Sequence, residues 1–213
     1  MSIHIFLASF EAGFDKGVVM DQPKLSARKK LLIAARTLFL EKGVDETSTA
    51  EICRLSGVSN GSLFHHFENK EAIAIAIFLD VRRDYWSHVL SAMEAQSDVL
   101  DAAEASVYAA FEFQRENEAA YFYMLDVSAA PWIGNHKEAI RAVNEPNVAR
   151  AMQWAAPHIM AGRLPMFSVH TFGALIFGLP QWIAREVRAG LSPPDIDLVA
   201  KEIAALMRKA FAP

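Results

Sequence analysis

Residues 47–70 read Thr-Ser-Thr-Ala-Glu-Ile-Cys-Arg-Leu-Ser-Gly-Val-Ser-Asn-Gly-Ser-Leu-Phe-His-His-Phe-Glu-Asn-Lys. Ser48 with Glu51 three residues on is a capping box, so a short helix begins there and is expected to carry Ile52, Cys53 and Leu55 inward. Gly57 can take the left-handed conformation that ends that helix, with Val58 as an apolar plug in the turn. Ser59 then caps a second short helix that buries Leu63 and Phe67, with His66 expected to pack. The outer side of this helix presents Asn60, Gly61, Ser62, Phe64 and His65. Two short helices joined by such a turn are a helix-turn-helix.

The outward set is small, polar or flat, which suits a helix entering a major groove. Amides and hydroxyls can reach base edges, and Gly61 permits close approach to the backbone. Arg28-Lys29-Lys30 before the motif and Lys70 after it lie where phosphates would run and would give sequence-independent affinity. The same hairpin also fits plain packing inside a helical protein.

Further residues around the motif continue the pattern: Ala34-Ala35-x-x-Leu38-Phe39-x-x-x-Gly43, Thr49-x-x-Ile52, and Gly57-Val58-Ser59-x-Gly61-x-Leu63-x-x-His66-Phe67-x-x-Lys70-Glu71. From Ala27 to Ile73 the chain resembles the DNA-binding domain of the tetracycline-repressor (TetR) family of bacterial regulators. The resemblance implies a homodimer with a three-helix N-terminal reader of a double-stranded DNA operator, and a larger C-terminal helical domain for a small-molecule effector. It implies phosphate contacts at Thr49, His65 and Lys70 and base reading at Asn60, Gly61 and Ser62; Arg28, Ser59 and Phe64 complete the expected DNA-facing set. Phe64 stands where the family usually has Tyr, and Cys53 where it usually has Ala. Repression, rather than activation, and a bacterial cytoplasmic location follow from the resemblance.

Outward from the motif the hydrophobic period is helical and almost nowhere alternating. Leu31, Ala34, Ala35, Leu38 and Phe39 form one stripe, Ile73, Ile77, Val81 and Trp86 another, and Val199, Ile203, Leu206 and Ala210 a last one. The spacing predicts an all-α fold of about nine helices, divided into an extension over 1–22, a reader over 23–70 and an effector-binding and dimerisation domain over 71–213. Gly190 with Pro193-Pro194 separates the last two helices. Leu164 to Ala184 contains no Asp, Glu, Lys or Arg. It is long enough to span a bilayer, but Pro165, Ser168, His170, Thr171, Pro180 and Gln181 interrupt it, so it reads as a helix covered by protein on both sides. Phe172, Ile176, Leu179 and Ile183, together with Val199, Ile203 and Leu206, are expected to build a four-helix dimer interface.

The chain has 213 residues, 53% hydrophobic and 22% charged, which excludes a disordered or low-complexity protein. Its net charge is −4, unevenly spread: residues 24–70 carry eight Lys/Arg against five Asp/Glu, a local +3. A basic block on an acidic body is expected where one part meets a polyanion. The single cysteine, Cys53, allows no internal disulfide and points to a reducing compartment. It lacks a resolving partner for a redox role. The apolar Ile3–Phe10 stretch has no basic residues before it, so a secretory signal is not expected, and Met20 is a candidate native start.

Trp86, Phe111, Tyr123, Met124, Trp132 and Trp154 supply more aromatic and Met surface than a small helical core needs. With Gln114 and His158 as polar handles they form the expected effector pocket, suited to a flat, mostly apolar ligand. No catalytic constellation, cofactor motif or metal-ligand spacing is present; neighbouring His65 and His66 point about 100° apart on a helix and cannot readily share one metal. The chain therefore reads as a ligand-responsive regulator and not as an enzyme. The remaining alternative is an all-α small-molecule carrier or partner-binding module without specific DNA binding.

Overall fold

A computed structural model describes residues 25–190 and 195–211. The expected extension over 1–22, Met20 as a start and the Pro193-Pro194 break lie outside the described residues, as do the side chains of Phe172 and Ile176. The described residues are all-α. Helices α1 (Ala27–Lys42), α2 (Thr49–Ser56) and α3 (Asn60–His66) form an N-terminal three-helix unit. Then come α4 (Lys70–Glu94), α5 (Val99–Glu116), α6 (Glu118–Ser128) and α7 (Lys137–Met160). Helix α8 (Val169–Gly173) runs through a π-helical turn (Ala174–Gly178) into α9 (Leu179–Ala189), and α10 (Ile196–Phe211) closes the chain. With α8 to α9 taken as one continuous run, the described residues hold nine α-helical runs, besides a short 3-10 turn at Ile133–His136.

The first stripe behaves as its period requires: Leu31, Ala34, Ala35 and Phe39 are buried. They share one continuous core with Ile52, Leu63, Phe67 and the inner face of α4. Because α4 packs against α1 at its start and against α5, α6 and α7 further along, it belongs to both halves of the molecule. Helix α10 lies against α5.

In α10 the inward face is Ala200, Ile203, Ala204, Met207 and Phe211, and Leu206, expected on a partner-facing side, is 62% exposed. Two expectations change. Ile183 and Ile203, expected on a partner-facing side, are turned into the chain's own core, because the inward arcs of α9 and α10 pass through them. The uncharged run is not one helix: residues 164–168 are non-helical, and α8 starts only where Ser168 Oγ accepts a bond from Thr171 N at 3.0 Å. Among the described residues no helix is long and apolar enough to cross a membrane.

Candidate functional site

The reader is built by local capping. Glu51 N donates to Ser48 Oγ at 3.2 Å and Ser48 N donates back to Glu51 Oε2 at 2.9 Å, which closes the capping box at the start of α2. Lys42 at the end of α1 reaches the other carboxylate oxygen of Glu51 at 2.6 Å. The bond from Lys42, then those from Ser48, hold the Glu51 carboxyl well below the usual range, at about 2. Gly57 ends α2 at φ 67°, in the left-handed region, and Ser59 Oγ accepts from Ser62 N at 3.3 Å to start α3.

This geometry exposes Ser59, Asn60, Gly61, Phe64 and His65 and leaves Ser62 half-buried, while Leu63 is fully buried beneath them. Phe64 is 50% exposed and gives the outer face an apolar, flat element with no hydroxyl. The exposed Arg28 guanidinium lies 5.2 Å from the centre of the Phe67 ring, which fixes it beside the end of α3. Thr49 is half-buried at the first turn of α2. Lys70 is partly engaged already: its Nζ donates to the Asp45 carbonyl at 3.0 Å and pins the start of α4 to the loop after α1.

Two side chains of the motif lie elsewhere than expected. Leu55 is 54% exposed, because the inward arc of α2 is centred between Ile52, Cys53 and Ser56, and Leu55 falls about 100° away from that centre. His66 is exposed against the His65 ring, centroids 5.2 Å apart. The apolar seal it was expected to give comes from Phe67, whose extended backbone at φ −140° ends α3 and folds its ring inward. Cys53 is half-buried and burial pushes its thiol up, away from reactive thiolate.

In the body a cavity of about 450 Å³ opens between α4, α7 and the α8–α9 run. Helix α4 contributes Arg82, Tyr85 and Trp86; α7 contributes Asn144, Val148, Ala151 and Met152. The third wall is His170, Gly173, Phe177, Gly178 and Gln181, and so includes the π-helical turn. Phe177 projects from that turn between two rings, 4.2 Å from Trp86 and 5.3 Å from Tyr85 centroid to centroid. Arg82 Nε donates to Asn144 Oδ1 at 2.7 Å, and Trp86 Nε1 donates to the same oxygen at 3.4 Å.

Of the residues expected to line an effector pocket, the structure brings only Trp86 to this cavity. Phe111, Met124 and Tyr123 are in the main core, where packing against α4 and α1 consumes them. Tyr123 stacks on Phe39 at 6.2 Å, and its hydroxyl donates to the Ala74 carbonyl at 2.9 Å. Gln114 is buried, its Oε1 has no partner among the described residues, and it does not line the cavity. Trp154 packs beside the cluster of Trp86, Leu90 and Met93 and tilts against His158 at 4.6 Å, and Trp132 meets His136 at 5.8 Å. Arg82 and Asn144 were not legible as a site, since 62 residues separate them and neither belongs to a motif.

Comparison with known proteins bears directly on the N-terminal unit. Residues 31–77 match the family described as bacterial regulatory proteins of the tetR family. The chain is 33% identical over 102 residues to the transcriptional repressor KstR2 of Rhodococcus jostii, covering 46% of this chain and 50% of that protein. It is 44% identical over 52 residues to the transcriptional regulator UidR of Escherichia coli K12, 24% of this chain and 26% of that one. The chain thus spans half the length or less of these two relatives. A protein of unknown function from Rhodococcus sp. RHA1 shares the fold with a TM-score of 0.72 at 19% identity, over 91% of this chain and all of that one. The fatty acid degradation regulator FadR of Bacillus halodurans does so with a TM-score of 0.67 at 16% identity, over 87% and 96%.

Proposed function

We propose, from the match of residues 31–77 to the tetR family of bacterial regulatory proteins, that the chain acts as a dimeric repressor that leaves a palindromic DNA operator when a small molecule fills the cavity between α4, α7 and the α8–α9 run. The observation that carries the reading is one continuous helix: α4 begins at Lys70, hydrogen-bonded to the reader, and presents Arg82, Tyr85 and Trp86 to the cavity. Twelve residues from Lys70 to Arg82 span about 18 Å of helix. Displacement of Arg82 or Trp86 by a ligand therefore moves the base of the reader as part of the same rod.

The reader runs to the start of α4, and the body beyond it serves the ligand and the partner subunit. Leu179 and Trp182 on α9 and Leu198 and Leu206 on α10 are large apolar side chains left exposed. Two such helices from each subunit make a four-helix interface that would set two copies of α3 about 34 to 36 Å apart, one turn of DNA. Asn60, Gly61, Ser62 and Phe64 then face base edges while Arg28, Thr49 and His65 face phosphates. We read the chain as a cytoplasmic regulator, not an enzyme.

Fluorescence anisotropy on labelled duplexes tiled from the DNA flanking the gene, at two salt concentrations and with excess competitor, tests this. Tight, salt-sensitive binding to one tile is expected. Uniformly weak binding to every tile by protein freed of small molecules would instead favour a carrier that keeps the hairpin for packing.

A further inference from the structure

Among the described residues that line the cavity there is no Asp or Glu, while Arg82 is a permanent cation. Burial lowers the pKa of the Arg82 guanidinium, a sign that its charge is poorly compensated where it sits. Its Nε–H is satisfied by Asn144, and its face lies 5.8 Å from the centre of the Phe78 ring. No ion pair to a described carboxylate exists and the terminal amino groups carry no hydrogen bond among the described residues. The orientation of Asn144 is fixed by chemistry: Arg82 Nε–H and Trp86 Nε1–H are donors only, so the atom between them must be the amide oxygen. Asn144 Nδ2 is thereby left as a further donor with no hydrogen-bond partner among the described residues. The same cavity wall carries the rings of Trp86, Tyr85 and Phe177, with Phe177 4.2 Å from Trp86 and 5.3 Å from Tyr85 centroid to centroid.

A half-buried fork of donors with no acid to meet it matches a planar, delocalised anion in two-point contact. The ring wall matches a flat apolar body attached to that anion. We propose that the effector is an aromatic or alicyclic carboxylic acid, bound as the carboxylate to the Arg82 terminal amines and Asn144 Nδ2, with its ring system against the wall formed by Trp86, Tyr85 and Phe177. This deepens the regulator reading and rests on the cavity being its effector site. A cationic ligand is disfavoured, since it would meet Arg82 with no carboxylate to offset the repulsion. A purely apolar one leaves the buried guanidinium unsatisfied.

Isothermal titration of the full chain with benzoate, 2-naphthoate and 4-biphenylcarboxylate, each against its primary amide, tests the assignment. At least one acid is expected to bind roughly ten- to a hundredfold tighter than its amide, the scale of a charge-assisted hydrogen bond. Arg82→Gln, which retains an amide donor beside Asn144, is expected to bring that ratio near one. Asn144→Asp is expected to do the same by supplying the missing carboxylate from the protein itself, without removing the guanidinium. Circular dichroism melting shows that both variants are folded. Equal binding of acids and amides, binding of none of the three acids, or a preference that survives Arg82→Gln would each overturn the proposal. Duplex anisotropy without these compounds scores the regulator reading separately: a chain that prefers acids and binds no operator keeps this inference and loses that one.

Discussion

The hydroxyl of Tyr123 donates to the main-chain carbonyl of Ala74 at 2.9 Å, and so couples α6 to the first turns of α4, beside the ring of Phe39 in α1. Burial pushes this phenol far above its usual range, so it stays a donor throughout the pH range in which the protein is folded. Tyr123→Phe keeps the ring stack and removes only the bond. It is expected to lower stability by about 1 kcal/mol in urea denaturation. No change in the unfolding midpoint would show that the tie is energetically idle.

Glu51 gives the reader an acid limit. Its folded-state pKa, about 2, lies below the ordinary carboxylate value, so its bonds to Lys42 and Ser48 contribute fully above roughly pH 4.3 and are lost as pH falls toward 2. A carbon-detected NMR titration of the Glu51 carboxyl should place its midpoint near 2. The difference in melting temperature between the natural protein and Glu51→Gln should be largest near neutrality and vanish in acid. A midpoint near 4 would mean that the Lys42 contact does not persist in solution.

At Gly57 the backbone has φ 67° and nothing lies within 4 Å of where a Cβ would stand. Gly57→Ala should therefore destabilise through the backbone alone, by about 1 to 2 kcal/mol. Gly57→Asn should be milder, since Asn tolerates the left-handed region. Equal behaviour of Ala and Asn in chemical denaturation would contradict this cause.

On the proposed function, the exposed surface of the N-terminal unit would make two kinds of contact. Asn60→Ala is expected to weaken operator binding by about 1 to 3 kcal/mol without altering its salt dependence. Arg28→Ala should weaken all duplexes alike and flatten the slope of log affinity against log salt by about 1. Anisotropy at three or more salt concentrations distinguishes them, and a salt slope changed by Asn60→Ala would reassign that residue to the phosphates.

Trp182 on α9 is 59% and Leu206 on α10 62% exposed, and both helices pack on α5. Trp182→Glu with Leu206→Glu is expected to convert a dimer to folded monomers in sedimentation velocity, with loss of tight operator binding, because a charge buried at such a face lacks a partner. A double variant that remains dimeric would move the interface elsewhere.

What could be read in the amino-acid order was what is decided locally. Ser48 with Glu51, Gly57 and Ser59 each act within three residues, and all of them appear as capping groups in the structure. Flanking positions were less legible: Leu55 and His66 sit at the edge of a helical arc, where a shift of one side chain's width turns inside to outside. The cavity was least legible, since its polar core joins Arg82 to Asn144 across 62 residues and three helices share the walls. Large aromatic and Met side chains marked a core, as Phe111, Met124 and Tyr123 show, and only Trp86 among those expected at the pocket lines the cavity.

The π-helical turn Ala174–Gly178 is, in effect, a helix that holds one surplus residue. Because the wider turn absorbs that residue locally, removing it would restore an α-helix while the segments on either side kept nearly the same facing. The change would fall on the turn itself, from which Phe177 projects into the cavity wall, while Trp182 kept its place on the outer face. A single insertion or deletion at this turn can therefore reshape the cavity wall without disturbing the exposed face of α9.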